Sequence, residues 1–231
     1  MHLATHCAAC RLAARSHSAV KQTARGISLT RILLLKSSPR GAASISSRLA
    51  DELVERLLEL HADAELSVRD LTADPLPHVT ADFASGTLTP EEQRSPEQRR
   101  ALELSDQVLA ELQQADIIVL AAAMINFAIP ATLKNWIDHV MRVWVAFTYN
   151  EQGPLGLLNG KKLYVVAARG SSYADPVQGE WDFQLPYIEK IFQFMGIIDQ
   201  QHIVVQPTLA GEDLANAEIE KARAQIAAIG G

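Results

Sequence analysis

Arg31-Ile32-Leu33-Leu34-Leu35-Lys36-Ser37-Ser38-Pro39-Arg40-Gly41-Ala42-Ala43-Ser44-Ile45-Ser46-Ser47 is the stretch on which the reading of this chain turns. It opens with an apolar run of strand length and passes through a loop of hydroxyls and small residues. It then enters residues 48–60, whose apolar side chains recur at helical spacing. A strand that delivers such a loop onto a helix N-terminus makes an anion site, because unpaired backbone N–H groups and the positive end of the helix dipole meet there. Two readings are open at this point. Ser44 or Ser46 caps the helix, as serine commonly does, or the loop holds a phosphate.

Outward from that stretch, strand and helix alternate. Residues 64–71 alternate in period two and predict a second strand. A long polar excursion with Pro75, Pro77 and Pro96 follows, and an amphipathic helix is expected over 97–114. Residues 115–123 form an apolar, β-branched run of the kind buried on both faces of a parallel sheet. The loop 124–129 leads to a helix opened by Pro130, with Leu133, Trp136, Ile137 and Val140 on its apolar side and an apolar continuation through Met141, Val143, Trp144 and Val145. Residues 145–154 predict a small hairpin, 162–168 a fourth strand, 201–206 a fifth, and 212–229 a closing helix. This alternation predicts an α/β fold, a doubly wound five-stranded parallel sheet with helices on both faces.

Composition narrows the function classes. A chain of 231 residues with 48% hydrophobic and 21% charged residues suits one globular domain with an appendage. The net charge of −6 argues against nucleic acid as a partner, and no apolar run approaches the ~20 residues needed to span a bilayer. Both cysteines, Cys7 and Cys10, lie in the N-terminal arm, so the body has no disulfide framework and a cytoplasmic location is the default. Residues 1–30 are acid-free and contain Arg11, Arg15, Lys21 and Arg25. They read as a disordered extension to a domain spanning 31–231, with an organellar transit peptide or an overlong start as the alternatives. Cys7-Ala8-Ala9-Cys10 lacks the second matched pair that a zinc site requires.

In an open parallel sheet, ligands bind beyond the carboxyl ends of the strands, where strand order reverses. The loops after the first, third and fourth strands contain Ser38 and Ser44–Ser46, Met124-Ile125-Asn126-Phe127, and Arg169-Gly170-Ser171-Ser172. Hydroxyls and amides suit a phosphate, an apolar stretch with an amide suits a flat ring, and glycine permits close backbone approach. Only Gly41 stands where a dinucleotide fingerprint needs three glycines, and the Walker pattern is absent. The expected ligand is therefore a mononucleotide held by serines, and FMN is the one associated with this switch point.

From Arg31 onward the chain resembles the FMN-dependent NADH-azoreductases, a flavodoxin-like family whose members also reduce quinones. The resemblance is carried by Lys36-Ser37-Ser38 with Ser44-Ile45-Ser46, by Ala121-Ala122-Ala123-Met124-Ile125-Asn126-Phe127, and by Leu133-Lys134-Asn135-Trp136-Ile137-Asp138. Gly153-Pro154-Leu155-Gly156-Leu157-Leu158-Asn159-Gly160-Lys161-Lys162 and Ala168-Arg169-Gly170-Ser171 complete it, in order and at family-like spacing. The resemblance implies a ping-pong cycle in which NADH gives a hydride to FMN and leaves, after which a quinone or azo compound takes the electrons from the same pocket. It implies that Ser38, Ser44, Ile45 and Ser46 hold the phosphate and that Met124, Ile125, Asn126 and Phe127 line the isoalloxazine. Ala168, Arg169, Gly170 and Ser171 would approach the ring's polar edge, and no protein nucleophile or acid–base pair is needed. A homodimer follows from the same resemblance, with Phe147 and Tyr149 helping to roof a pocket shared between subunits.

Each role has an alternative. Asn126 also reads as a turn residue only, Arg169 as a surface charge, and Phe147 and Tyr149 as core aromatics. Phe192, Phe194, His139 and His202 read as packing or structural residues. The chain departs from the family where Ala123 and Ile125 replace a proline and a tyrosine, where Ala168 and Ser171 replace a serine and a glycine, and where Ile45 stands for a glutamine. The rival functions are an NAD(P)H quinone reductase without azo activity and a flavodoxin-type electron carrier.

Overall fold

The computed structural model describes residues 29–230. The N-terminal arm with Cys7, Cys10 and its four cations lies outside that range. The first strand begins at Arg31, as expected, and the Thr30 carbonyl just before it accepts the Glu65 N–H.

Five parallel strands form the sheet: β1 (Arg31–Lys36), β2 (Glu65–Asp70), β3 (Ile117–Ala123), β6 (Lys162–Ala168) and β7 (Asp199–Val205), in the order β2-β1-β3-β6-β7. An antiparallel hairpin, β4 (Phe147–Asn150) and β5 (Gly153–Gly156), stands apart from it. From β1 the chain crosses to β2 on one side and then returns past β1 to build β3, β6 and β7 on the other. Right-handed crossovers therefore place the connecting helices on opposite faces. Helix α1 (Ile45–Leu60) and the closing α7 (Glu212–Ala227) cover one face, against Ile32, Leu34, Val119 and Val166. Helices α3 (Pro96–Gln114), α4 (Ala131–Val140) and α6 (Leu185–Phe194) cover the other, against Leu33, Leu35, Leu120 and Val165. Central strands buried on both faces explain why β1, β3 and β6 read as continuous apolar runs rather than alternating ones. The expected doubly wound architecture is the one observed.

Local departures have local causes. The polar excursion contains a helix, α2 (Ala81–Leu88), capped by Thr80, whose hydroxyl accepts the Phe83 N–H at 3.2 Å. A second short helix, α5 (Pro176–Gly179), interrupts the loop before α6 and is capped by Asp175. Ser95 and Gln98 form a reciprocal capping box at the start of α3. Pro130 is the cap of α4 rather than its first residue. The expected continuation of α4 through Val145 does not occur. The helix stops at Val140, and Trp144 takes φ +70°, which no right-handed helix admits. Met141 and Val145 still pack on the core, but from loop backbone.

Candidate functional site

The order of strands reverses between β1 and β3, so the crevice beyond their carboxyl ends is where this fold places a ligand. Register brings the three loops together there. Lys36 is opposite Ala121 and Ala123 is opposite Ala168, so the segments following these residues leave the sheet side by side. Two further bonds lock them: Ser37 donates N–H and Oγ–H to the Ala121 carbonyl at 3.2 and 2.8 Å, and Met124 N–H donates to the Ala168 carbonyl at 3.0 Å.

The first loop folds as a single 3₁₀ turn, Gly41–Ala43, entered with Gly41 at φ +52°. Ser44 is the N-cap of α1, its Oγ accepting the Ser47 N–H at 3.2 Å, and it lies 3.1 Å from Ser46 Oγ. Ser38 is buried, with its Oγ accepting the Arg40 N–H at 3.4 Å. The Ile45 and Ser46 N–H groups belong to the helix's first turn, which has no internal partners for them. Residues 37–48 contain no carboxylate and carry two exposed arginines, Arg40 and Arg48. Hydroxyls, unpaired amides and a helix dipole without a competing negative charge suit a phosphate monoester. The residues fit FMN at this end.

The second loop is a two-residue turn. Ile125 and Ala128 exchange both backbone hydrogen bonds at 3.0 Å, while Asn126 and Phe127 between them have φ +47° and +69°, the φ signature of a type I′ turn. Asparagine tolerates this region, but a phenylalanine there is strained. The Met124 and Ile125 N–H groups are bonded within the fold, whereas the Asn126 and Phe127 N–H groups make no backbone hydrogen bond. Strain held by a fixed turn at a strand's carboxyl end is the kind that accompanies function. The reading of Asn126 as a turn residue and the reading as a site residue are here compatible.

The third loop corrects the surface-charge alternative for Arg169. Its side chain is 3% exposed and its Nη2 lies 2.8 Å from Asp182 Oδ2, itself only 12% exposed. Nε donates to Gln184 Oε1 at 3.0 Å and Nη1 to Gln206 Oε1 at 3.3 Å, and the guanidinium lies 5.6 Å from the Tyr173 ring centre. Gln184, fully buried, donates in turn to the Ala122 carbonyl. The Arg169 backbone receives Thr208 twice, through N–H at 2.9 Å and the hydroxyl at 3.0 Å. Burial pushes the guanidinium below its ordinary value while Asp182 pushes it up, so the pair keeps it charged. Arg169 thus holds the loop. Its N–H is taken by the Val205 carbonyl, and the Ala168, Arg169 and Gly170 carbonyls accept from Met124, Thr208 and Leu209, so the donors of this loop that make no hydrogen bond within the fold are the Gly170 and Ser171 N–H groups and the Ser171 hydroxyl. Asp182, Gln184, Gln206 and Thr208 were missed by sequence reasoning. Nothing local marks them, and only the tertiary meeting of α6, β7 and the third loop gives them a role.

The remaining candidates separate cleanly. His139 is buried, its Nε2 on the Pro77 carbonyl, with Asn135 bonding the Leu76 and Pro77 carbonyls beside it, so both pin the excursion to α4. Phe192 is core, stacked on Trp136 at 6.3 Å. Phe147 is half-buried between Phe194 and Tyr149, whereas Tyr149 projects into solvent.

Comparison with known proteins matches residues 30–229 to the family defined by the flavodoxin-like fold. The chain belongs to that family. An FMN-dependent NADH:quinone oxidoreductase from Mesorhizobium japonicum is 44% identical over 198 residues, which cover 86% of this chain and 94% of the relative. A protein of the same name from Azotobacter vinelandii is 40% identical over 201 residues, 87% of this chain and all (100%) of the relative. Among solved structures, an azoreductase from Bacillus anthracis str. Sterne superposes with a TM-score of 0.78 at 26% identity, covering 86% of this chain and 99% of that one. The resemblance to the azoreductase family drawn from the sequence is borne out. No helix among the described residues of this flavodoxin-like protein is long and apolar enough to cross a membrane.

Proposed function

We propose that this flavodoxin-like protein is an FMN-dependent oxidoreductase that takes reducing equivalents from NADH and passes them to quinones and to the azo bond of aromatic azo compounds. The observation that carries the reading is the meeting, at the β1/β3 reversal, of a serine-capped helix N-terminus with a strained turn that has two unpaired amides. The names of its relatives support it.

Bound FMN supplies the two-electron chemistry. The Ile45 and Ser46 amides, with the Ser38, Ser44 and Ser46 hydroxyls, bind the phosphate and satisfy the end of α1. Asn126 and Phe127 present amides, and Asn126 its side chain, to the ring. Of the segment from Ala168 to Ser171, the Gly170 and Ser171 amides would supply donors at the ring's polar edge, where negative charge builds on reduction. Arg169 orients that backbone. In this reading no side chain acts as nucleophile or general acid, and donor and acceptor use one pocket in turn.

The protein works as a cytosolic homodimer. The support is the set of large apolar side chains exposed on the segment after α4, on the hairpin and just beyond it: Trp144, Tyr149, Leu155 and Leu157. Sedimentation at micromolar concentration tests it, and a monomer that retains FMN overturns it.

Replacing Ser38, Ser44 and Ser46 together by alanine should abolish retention of yellow cofactor on purification, and unchanged flavin content refutes the phosphate assignment. Anaerobic bleaching of the flavin absorbance by NADH tests the donor. Comparing turnover of a benzoquinone and an azo dye decides between the main reading and a quinone reductase without azo activity.

A further inference from the structure

We propose that Trp181 is a specificity-determining residue, forming with Phe127 and Tyr173 an aromatic wall that selects planar acceptors of two fused or conjugated rings over single-ring quinones. The inference rests on the oxidoreductase reading above.

The wall is built on anchored backbone. The Phe127 ring lies 5.5 Å from Trp181 at 45° and 6.5 Å from Tyr173, edge-on at 86°. Its carbonyl accepts the Phe183 N–H at 3.0 Å, tying the second loop to the segment before α6. That segment is itself tightly turned, with Trp181 N–H on the Gln178 carbonyl and Asp182 N–H on the Gly179 carbonyl, both at 3.0 Å. Asp182, the next residue after Trp181, caps α6 through the Gln184 and Leu185 N–H groups and meets the buried Arg169. Trp181 nevertheless remains 56% exposed and Phe127 45%.

Exposed aromatics held rigid beside a ligand crevice cost free energy unless something flat covers them. Phe127 belongs to the same strained turn whose amides are free for the cofactor, so the wall begins at the edge of the site and extends away from it. A single-ring acceptor is held by the cofactor alone. A second ring projects past the turn and gains the face of Trp181.

The test uses FMN-loaded protein carrying Trp181→Ala or Trp181→Phe. Kinetics are measured with 1,4-benzoquinone and with 1,4-naphthoquinone-2-sulfonate. Equilibrium dialysis of the naphthoquinone against oxidised protein, without NADH, reports binding apart from turnover. Trp181→Ala should raise KM and Kd for the naphthoquinone about five- to tenfold, leaving kcat, flavin content and the benzoquinone KM within about twofold. Trp181→Phe should stay near wild type for both acceptors. Unchanged naphthoquinone constants in Trp181→Ala overturn the proposal. So does an equal loss with both acceptors, especially with monomerisation in sedimentation, which makes the cluster a subunit contact. A wild-type protein that binds FMN yet oxidises NADH with neither quinone overturns the oxidoreductase reading together with this one.

Discussion

Arg169 shows what a single side chain decides here. Its guanidinium joins four segments: its own loop, the α6 N-terminus through Asp182 and Gln184, the end of β3 through Gln184, and the loop after β7 through Gln206. Removing one partner of a buried ion pair leaves the other unpaired, a cost of about 3–5 kcal/mol. Arg169→Ala should therefore lower the urea-unfolding free energy by about that amount, with Asp182→Asn losing less because amide–guanidinium bonding survives. Phe127 has the opposite balance. Its φ of +69° is natural for glycine and strained for an aromatic residue. Phe127→Gly should leave the melting temperature unchanged or raised, while weakening naphthoquinone binding because the wall loses a ring. A clear fall in melting temperature would show that the turn is not strained as described.

Elements place the site and in turn depend on it. The Ser44 cap of α1 should be worth about 1 kcal/mol by denaturation in the FMN-free protein, measured as the loss in Ser44→Ala. Adding FMN should stabilise wild type more than this variant, since the cap and the proposed phosphate contacts share the same helix end. The hairpin's position against α6 is set by an absence of side chains. A Cβ on Gly156 would lie 2.1 Å from Gly196 N and 2.3 Å from the Met195 carbonyl carbon, both backbone. Leu158 N–H bonds the Met195 carbonyl just beyond. Gly156→Ala should cost about 3 kcal/mol and pull the hairpin off α6, seen as a lower melting temperature and faster proteolysis within 147–156.

Across the whole molecule, stability follows pH through a group to which no part in the chemistry is assigned. His202, on β7, is held below its ordinary value mainly by burial, with Arg169 pushing the same way and Glu189 opposing. Its Nε2 has no partner. The unfolded chain then binds a proton that the folded chain refuses. This contribution to stability is complete above about pH 6.5 and is lost as pH falls from there towards the lower folded value. The melting temperature should drop less between about pH 7.5 and about pH 5.5 in His202→Gln than in wild type. An identical drop would mean that His202 does not titrate in this range.

The sequence alone determined the fold class, the five-strand sheet and the three loops that meet at the switch point. Those features rest on periodicity, on apolar runs and on the chemistry of short local segments, all of which act over a few residues. It left α2 and α5 unrecognised, because their few turns carry no amphipathic stripe and depend on the Thr80 and Asp175 caps. It extended α4 too far, because apolar residues such as Met141 and Val145 look the same in a helix as in a loop packed on the core. Tertiary structure decided the rest. Whether Arg169 is a surface charge or a buried strut depends on Asp182, Gln184 and Gln206, which lie 13 to 37 positions along the chain. Whether Phe127 and Trp181 form one wall depends on a hydrogen bond between two loops that no local pattern encodes. Long-range pairing of this kind is written only in three dimensions, since its free energy comes from desolvation and geometry shared among distant residues.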